Sequence, residues 1–459
     1  MKITVLNGSP KGDTSVTMQY VKYMSLKFPM HEFRICNVAH SIRKLEADSK
    51  ELEALMDDIE SSDGVLWAFP VYVYLVHGSY KRFIELIWEK NLQKVFEGKY
   101  TAALSTSIHF FDNTAHNYIR GICDDLKMKY IGFFSPEMND ILKERGQKEL
   151  TAFTADMLRN IESRSATSFA YKPLNCSIPF YKPSYVKNKT DMMDKKVVII
   201  TDSYDLDTNL GKMIKRFMDS IVQPVELINI SEINIKGGCL GCISCGFDNQ
   251  CVYDYKDDIR YIYDEKIKKA DILVYAGAIK DRYLSALWKT FIDRRFFNTH
   301  QPILTGKQLA YIISGPLGQV HNLREILHAN AELDQANLVD IITDEYENSE
   351  HVDMLLENLA QRLKYFSGEA YVRPATYLGV GGMRIFRDEV WGRLRMVFQG
   401  DHRYYKKNGI YDFPQKSISI RLMNMVMILL TKMPGIKKNM QKNFTQYMIQ
   451  SYSKAMKDI

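Results

Sequence analysis

Short apolar runs rich in β-branched and aromatic residues alternate with longer stretches of helical period through most of the chain. In the first half, Ile3–Asn7, Phe33–Asn37, Gly64–Phe69, Thr101–Thr106 and Lys129–Phe134 predict buried parallel strands. Helical segments such as Glu51–Glu60 and Ser79–Lys90 lie between them. Alternation of this kind predicts a doubly wound α/β sheet.

The pattern then repeats. Val197–Thr201, Val225–Ile230, Ile272–Ala276, Leu309–Ser314 and Leu338–Ile342 form a second set of strands. Tyr80-Lys81-Arg82-Phe83-Ile84-Glu85 aligns with Trp288-Lys289-Thr290-Phe291-Ile292-Asp293 at an offset of 208, and Gly98-Lys99 aligns with Gly306-Lys307 at the same offset. Lys2 aligns with Lys196 at 194, so the second copy has gained 14 residues early on, where four cysteines crowd. Tyr171 to Asp194, with Pro173, Pro179 and Pro183, has little periodicity and reads as a linker. The expected organisation is a first α/β domain over residues 1–170, a linker over 171–194, a second α/β domain over 195–372, and a basic helical extension over 373–459. In the extension, Arg384–Gln399 and Ile418–Met433 are the clearest helices, and the Met-rich Leu422–Leu430 segment reads as core packing.

Composition narrows the class. With 459 residues, 46% hydrophobic and 25% charged, the chain has room for two or three globular domains. The first residues read as a strand and a turn, not as an export signal. The apolar stretch between Arg421 and Lys432 is far short of the ~20 residues of a membrane span, so no transmembrane segment is expected. These features read as a cytoplasmic protein. The net charge of +6 is uneven: from Asp401 onward eleven Lys/Arg face three Asp. Such a tail suits nucleic acid, acidic lipid or an acidic partner, while its plainest reading is a solvated helical face, and nucleic acid is not expected.

Two loops carry candidate chemistry. After the first strand comes Asn7-Gly8-Ser9-Pro10-Lys11-Gly12-Asp13-Thr14-Ser15-Val16-Thr17, then a helix. Gly and Pro turn the chain, hydroxyls donate hydrogen bonds, and a helix N-terminus presents free N–H groups to an anion. After the third strand comes Phe69-Pro70-Val71-Tyr72-Val73-Tyr74-Leu75-Val76-His77-Gly78-Ser79-Tyr80-Lys81-Arg82-Phe83-Ile84-Glu85. Pro70, Val71 and Tyr72 can wall a flat, mostly apolar ring, and Ser105, Thr106 and Ser107 can reach its polar edge. His77 and His109 read as surface or loop histidines. No Ser-His-Asp or Cys-His pair demands a separate catalytic apparatus, and Gly379-Val380-Gly381-Gly382 lacks the preceding strand that a dinucleotide fingerprint needs.

In these two loops the chain resembles the NADPH-dependent FMN reductase and iron–sulfur flavoprotein branch of the flavodoxin-like superfamily. That branch carries a Gly-Ser-Pro-Arg type loop ending in Ser/Asn-x-Thr, here with Lys11 for Arg, and a Pro-x-Tyr loop leading to Lys-x-Phe-Ile-Asp. The resemblance implies two tandem flavodoxin-like five-stranded parallel sheets and an FMN-dependent NAD(P)H oxidoreductase of the flavin or quinone reductase type. It implies that the Ser9-Pro10-Lys11 turn, with Thr14, Ser15 and Thr17, holds the FMN phosphate. A non-catalytic electron carrier or redox-sensing module is the alternative. The partner is then a small-molecule or protein electron acceptor. The two copies form a pseudo-dimer within the chain, and homo-oligomers remain open.

The second copy departs from this pattern. Its first loop, Asp202-Ser203-Tyr204-Asp205-Leu206-Asp207-Thr208-Asn209, carries three carboxylates that would repel a phosphate, and Ala278-Ile279-Lys280 stands where Pro70-Val71-Tyr72 does. It is expected to bind no FMN phosphate through this loop. Its inserted segment holds Cys239, Cys242, Cys245 and Cys251 in the spacing C-x2-C-x2-C-x5-C, with Gly237, Gly238, Gly241 and Gly246 permitting tight turns. Such a set can enclose a [4Fe-4S] cluster, as the resemblance also implies, with zinc or metal-free thiols as the other readings. The scattered Cys36, Cys123 and Cys176 read as structural. Electron exchange between a cluster in one copy and FMN in the other requires the cysteine loop and the Tyr72 loop to lie close together.

Overall fold

The apolar runs build two five-stranded parallel sheets in the computed structural model, which describes residues 1–450 and 452. The first comprises β1 (Lys2–Asn7), β2 (Glu32–Cys36), β3 (Gly64–Pro70), β4 (Tyr100–Thr106) and β5 (Lys129–Phe134) in the order β2-β1-β3-β4-β5. The second comprises β6 (Val197–Thr201), β7 (Glu226–Asn229), β8 (Ile272–Ala278), β9 (Gln308–Ser314) and β10 (Asn337–Thr343) in the order β7-β6-β8-β9-β10, the same topology. Helices cover both faces, so the central strands are enclosed: β4 and β6 are buried at every residue. The edge strands β2 and β7 are half-exposed. In each sheet the strand order reverses beside the first strand, where ligands of such folds bind beyond the carboxyl ends of the strands.

Three apolar clusters hold this architecture. One lies on the outer face of each sheet. The largest is shared: Trp67, Tyr80 and Phe83 of the first copy and Trp288, Phe291 and Tyr311 of the second belong to one continuous core. Accordingly residues 1–402 form one compact unit, and the chain divides at Arg403, not within 171–194. That linker has no helix or strand, yet it is tied down, with Tyr181 buried and bonded to Asp353 and the Ser184 N–H donating to Asp353 Oδ2 at 2.9 Å.

The seam between the copies is built by the repeated motif itself. Helix Gly78–Glu89 packs on helix Ala286–Arg294. The Gly78 N–H donates to Asp293 Oδ2 at 2.8 Å, and the Ala286 N–H donates to Glu85 Oε1 at 2.7 Å. Lys81 bonds Glu85 and reaches across to Asp281, both at 2.8 Å. Lys289 bonds Asp293 and reaches across to the Tyr72 carbonyl at 2.9 Å. The four residues of the duplicated Lys-x-x-x-acid pattern are therefore interface residues, which explains why the second copy retains it after losing the ring loop.

Two sequence expectations need correction. The helix expected over Arg384–Gln399 runs instead from Tyr377 to Trp391. Glycines weaken an isolated helix, but here Glu332 Oε2 accepts the Thr376 and Gly379 N–H groups at 2.8 Å each, and a Cβ at Gly382 would stand 2.8 Å from Leu333 and 3.1 Å from Phe110. Tertiary packing therefore overrides propensity. In the second unit, helix Ile418–Leu430 matches its expected start, but Leu422–Leu430 is not core: Leu422 is 58% exposed and Ile428 63%. Residues 451 and 453–459 of the expected extension lie outside the described residues.

Candidate functional site

A cavity of about 390 Å³ opens at the carboxyl ends of β1, β3 and β4. Nine of the twelve expected cofactor residues line it: Ser9, Lys11, Thr14, Ser15, Pro70, Val71, Tyr72, Thr106 and Ser107. The other three do not. The Pro10 carbonyl pairs with His40 Nδ1 at 2.9 Å, the buried Thr17 pairs its hydroxyl with Thr106 at 2.7 Å, and the buried Ser105 bonds His116 Nε2 at 2.8 Å and Ser135 at 2.9 Å.

Local geometry turns the first loop so that Ser9, Lys11, Thr14 and Ser15 line the cavity. Gly12, at φ +57°, lets the chain turn through a single 3₁₀ turn, Gly12–Thr14, before helix Val16–Lys27 begins. Ser15 caps that helix by accepting the Met18 N–H at 3.3 Å. Thr14 donates its hydroxyl to the Lys11 carbonyl at 2.9 Å, and Ser9 Oγ accepts the Lys11 N–H at 3.2 Å. The Ser9 O–H, the Lys11 ammonium and the first-turn N–H groups are the donors offered to the cavity. Asp13, the one carboxylate in the loop, accepts from Asn37 at 3.1 Å instead.

The ring loop is strained and heavily held. Val73 and Tyr74 adopt positive φ (32° and 69°), which non-glycine residues sustain only under constraint. Reciprocal Tyr72–Leu75 backbone bonds at 2.7 and 3.0 Å, Thr114 on the Tyr74 carbonyl at 2.5 Å, and Lys289 on the Tyr72 carbonyl supply that constraint. Burial pushes the Tyr72 phenol well up, so it stays neutral.

The far wall was missed by sequence reasoning because it comes from the other copy and from the C-terminal helix region. Its rings form a chain: Tyr74–Phe110 at 5.5 Å, Phe110–Phe386 at 4.2 Å, Phe386–His300 at 4.1 Å and His300–Phe398 at 4.6 Å. His300 Nδ1 lies 2.7 Å from Oδ2 of the fully buried Asp401. Nearby, Arg295 bonds Asp334 and Asn330. Asp334 Oδ2 is buried with no hydrogen-bond partner among the described residues. The one sequence signal was the duplication, which placed Arg295–Gln301 directly after the second copy's seam helix.

The cysteine loop forms part of the same site. Gly241 and Ile243 line the cavity, and a Cβ at Gly241 would stand 2.1 Å from the Tyr72 hydroxyl and 3.2 Å from Lys11 Cε. Gly241 and Ile243 take positive φ (61° and 62°). His77, expected as a surface or loop histidine, lies in the loop but is buried: it is 1% exposed, its Nε2 lies 2.8 Å from the Cys239 carbonyl, and burial lowers its pKa. It also stacks edge-on to Tyr72 at 4.8 Å. His109 is half-exposed and bonds Asp112 at 2.9 Å. All four clustered cysteines line one second, small cavity of about 20 Å³. Burial pushes the Cys239 and Cys245 thiols up to about 12. Among the described residues no three His, Cys, Asp or Glu side chains stand as a ready single-ion site. The four thiols share that small cavity without standing as a ready metal site among the described residues.

In the second copy, Asp202 is bonded by the Ser285 hydroxyl and its pKa is raised by burial, and Ile279 packs on Gly315. Neither lines the large cavity.

Residues 1–134 match the family model described as NADPH-dependent FMN reductase. No curated protein matches the chain. Among solved structures, the chain is similar to FerB, the flavoenzyme NAD(P)H:(acceptor) oxidoreductase of Paracoccus denitrificans, at 22% identity over 35% of this chain and 97% of that one, with a TM-score of 0.30. It is also similar to an apo NADH:FMN oxidoreductase, EMOB, at 17% identity over 37% and 91%, TM-score 0.30. An FMN-dependent NADH-azoreductase of Bacillus anthracis is similar at 12% identity over 34% and 98%, TM-score 0.27.

Proposed function

We propose, on the match of residues 1–134 to the NADPH-dependent FMN reductase family model, that the chain is an NAD(P)H-dependent FMN oxidoreductase of the flavin- or quinone-reducing type, with one FMN in the cavity of about 390 Å³. The observation that carries this reading is the joining, in one cavity, of the Ser9–Lys11 anion cradle to the apolar Pro70–Tyr72 wall. The volume falls in the ~300–1,000 Å³ range of small-molecule sites. Bound there, FMN would supply two-electron transfer between NAD(P)H and an acceptor.

The chain's own residues bind, orient and exclude water. Ser9, Lys11 and the start of helix Val16–Lys27 hold the phosphate. Pro70, Val71 and Tyr72 flank the ring, and Thr106 and Ser107 meet its polar edge. The wall of Phe110, Phe386 and Phe398 keeps the acceptor's place apolar. His300, oriented through Nδ1 by Asp401, stands in the cavity wall where it can exchange a proton with that acceptor.

Cys239, Cys242, Cys245 and Cys251 would hold a [4Fe-4S] cluster, which supplies one-electron exchange. The support is adjacency: Gly241, between two of these cysteines, lines the flavin cavity.

The purified full chain should bind about one FMN, and NADPH or NADH with a quinone should turn it over. A colourless protein that takes up no added FMN would refute the reading. FMN bound but never reduced by NAD(P)H would make it a carrier or sensor module. Iron and sulfide analysis after anaerobic purification decides the cysteine site separately.

A further inference from the structure

The second unit contains a surface that the redox site does not use. Between Asp412 and Asp458 the chain has no Asp or Glu, while Arg421, Lys432, Lys437, Lys438 and Lys442 all fall there. The same stretch displays apolar side chains outward. Helix Ile418–Leu430 buries none of its residues, and Leu422, Met425 and Leu429 are each more than half exposed. Helix Pro434–Gln450 repeats Ile436, Met440, Phe444 and Met448 every four residues, a helical stripe beside its lysines.

Contiguous exposed apolar surface marks a binding face, and the charge identifies what it fits. A second copy of this chain would set one acid-free basic surface against another. Nucleic acid would neutralise the lysines but has no use for aliphatic side chains at this density. A bilayer surface bearing anionic headgroups meets both features. Helix Ile418–Leu430, at ~1.5 Å per residue, is about 20 Å long against a ~30 Å hydrocarbon core, too short to cross it. No described helix is long and apolar enough to span.

We propose that residues 413–450 dock the protein on the surface of an anionic phospholipid bilayer, with the side chains of Leu422, Met425 and Leu429 entering the acyl boundary and those of Lys437, Lys438 and Lys442 meeting the headgroups. This does not depend on the redox reading.

The test is sedimentation of the full chain with vesicles of phosphatidylcholine and phosphatidylglycerol at 3:1, against phosphatidylcholine alone, at 0.1 and 0.5 M salt. The chain should sediment with the anionic vesicles at low salt and be largely released at high salt. Each lysine near such a surface contributes about fivefold, so the triple variant Lys437→Gln/Lys438→Gln/Lys442→Gln should bind roughly hundredfold more weakly. Leu422→Gln/Met425→Gln/Leu429→Gln should abolish sedimentation at both salts. Circular dichroism and the melting temperature confirm that each variant is folded; neither substitution touches the flavin cavity. Wild-type protein that stays in the supernatant, variants that sediment like wild type, or retention by RNA or an acidic protein without vesicle binding would overturn the proposal.

Discussion

The backbone N–H of Gly78 donates to Asp293 Oδ2 at 2.8 Å, and its counterpart 208 residues on, Ala286, donates to Glu85 Oε1 at 2.7 Å. Each copy thus supplies the carboxylate that caps the other's seam helix, where unpaired N–H groups and the helix dipole favour negative charge. An interaction of this form occurs between subunits of a two-fold dimer, and here it is contained in one chain.

Asp293→Asn should therefore be costly. It leaves the Lys289 ammonium fully buried without its carboxylate, and breaking a buried pair from one side costs about 3–5 kcal/mol. Urea unfolding measures this. The paired replacement Lys289→Met/Asp293→Leu should recover only part of that loss, because it leaves the Gly78 N–H without its acceptor, and it should weaken FMN binding by about tenfold, an order-of-magnitude cost of one lost hydrogen bond to a charged group, because the Tyr72 carbonyl loses its donor. A single variant as stable as wild type would contradict the seam described above.

Gly241→Ala tests the contact between cysteine loop and ring loop. The new Cβ would meet the Tyr72 hydroxyl at 2.1 Å in a backbone already at φ +61°. FMN affinity, read by fluorescence titration, should fall at least tenfold, with global unfolding shifted by no more than ~2 kcal/mol.

Stability should fall with acid in a definite window. Burial lowers the folded-state pKa of His116 to about 4, against ~6.5 unfolded. The unfolded state binds the proton first, so the contribution is whole above pH ~6.5 and is lost as pH falls towards ~4, by about 3 kcal/mol at most. Denaturant midpoints across that range should show the slope, and His116→Gln should flatten it. His77, also depressed by burial, adds in the same direction.

His300→Gln should keep FMN content at one per chain and lower kcat for acceptor reduction by about 10²-fold or more, the usual scale of a lost general acid. Asp401→Asn should give a smaller loss, since it removes orientation of the ring rather than the ring itself. An unchanged pH–rate profile in both variants would remove His300 from the proton path.

The strands and the turn after β1 were legible because both are local. Apolar runs and turn residues act within a few positions, and Ser9, Lys11 and Ser15 do line the cavity. Thr17 and Ser105, expected beside them, do not line the cavity. A hydroxyl beside a loop looks available until its buried partner, Thr106 or His116, is known. The Leu422–Leu430 run looked like core because hydrophobicity alone does not reveal whether another surface covers it.

By itself the sequence determined two sets of five parallel strands and a glycine- and hydroxyl-rich turn at the end of β1, since backbone propensity and periodicity need no distant partner. Only the tertiary structure decided that the sheets share a core, that Lys81 and Lys289 serve the seam, and that Gly241, His300 and Phe386 close the cavity of the other copy. Those contacts join positions about 170 to 310 residues apart from the Tyr72 loop, and at that separation only the packing of the whole fold sets which side chains meet.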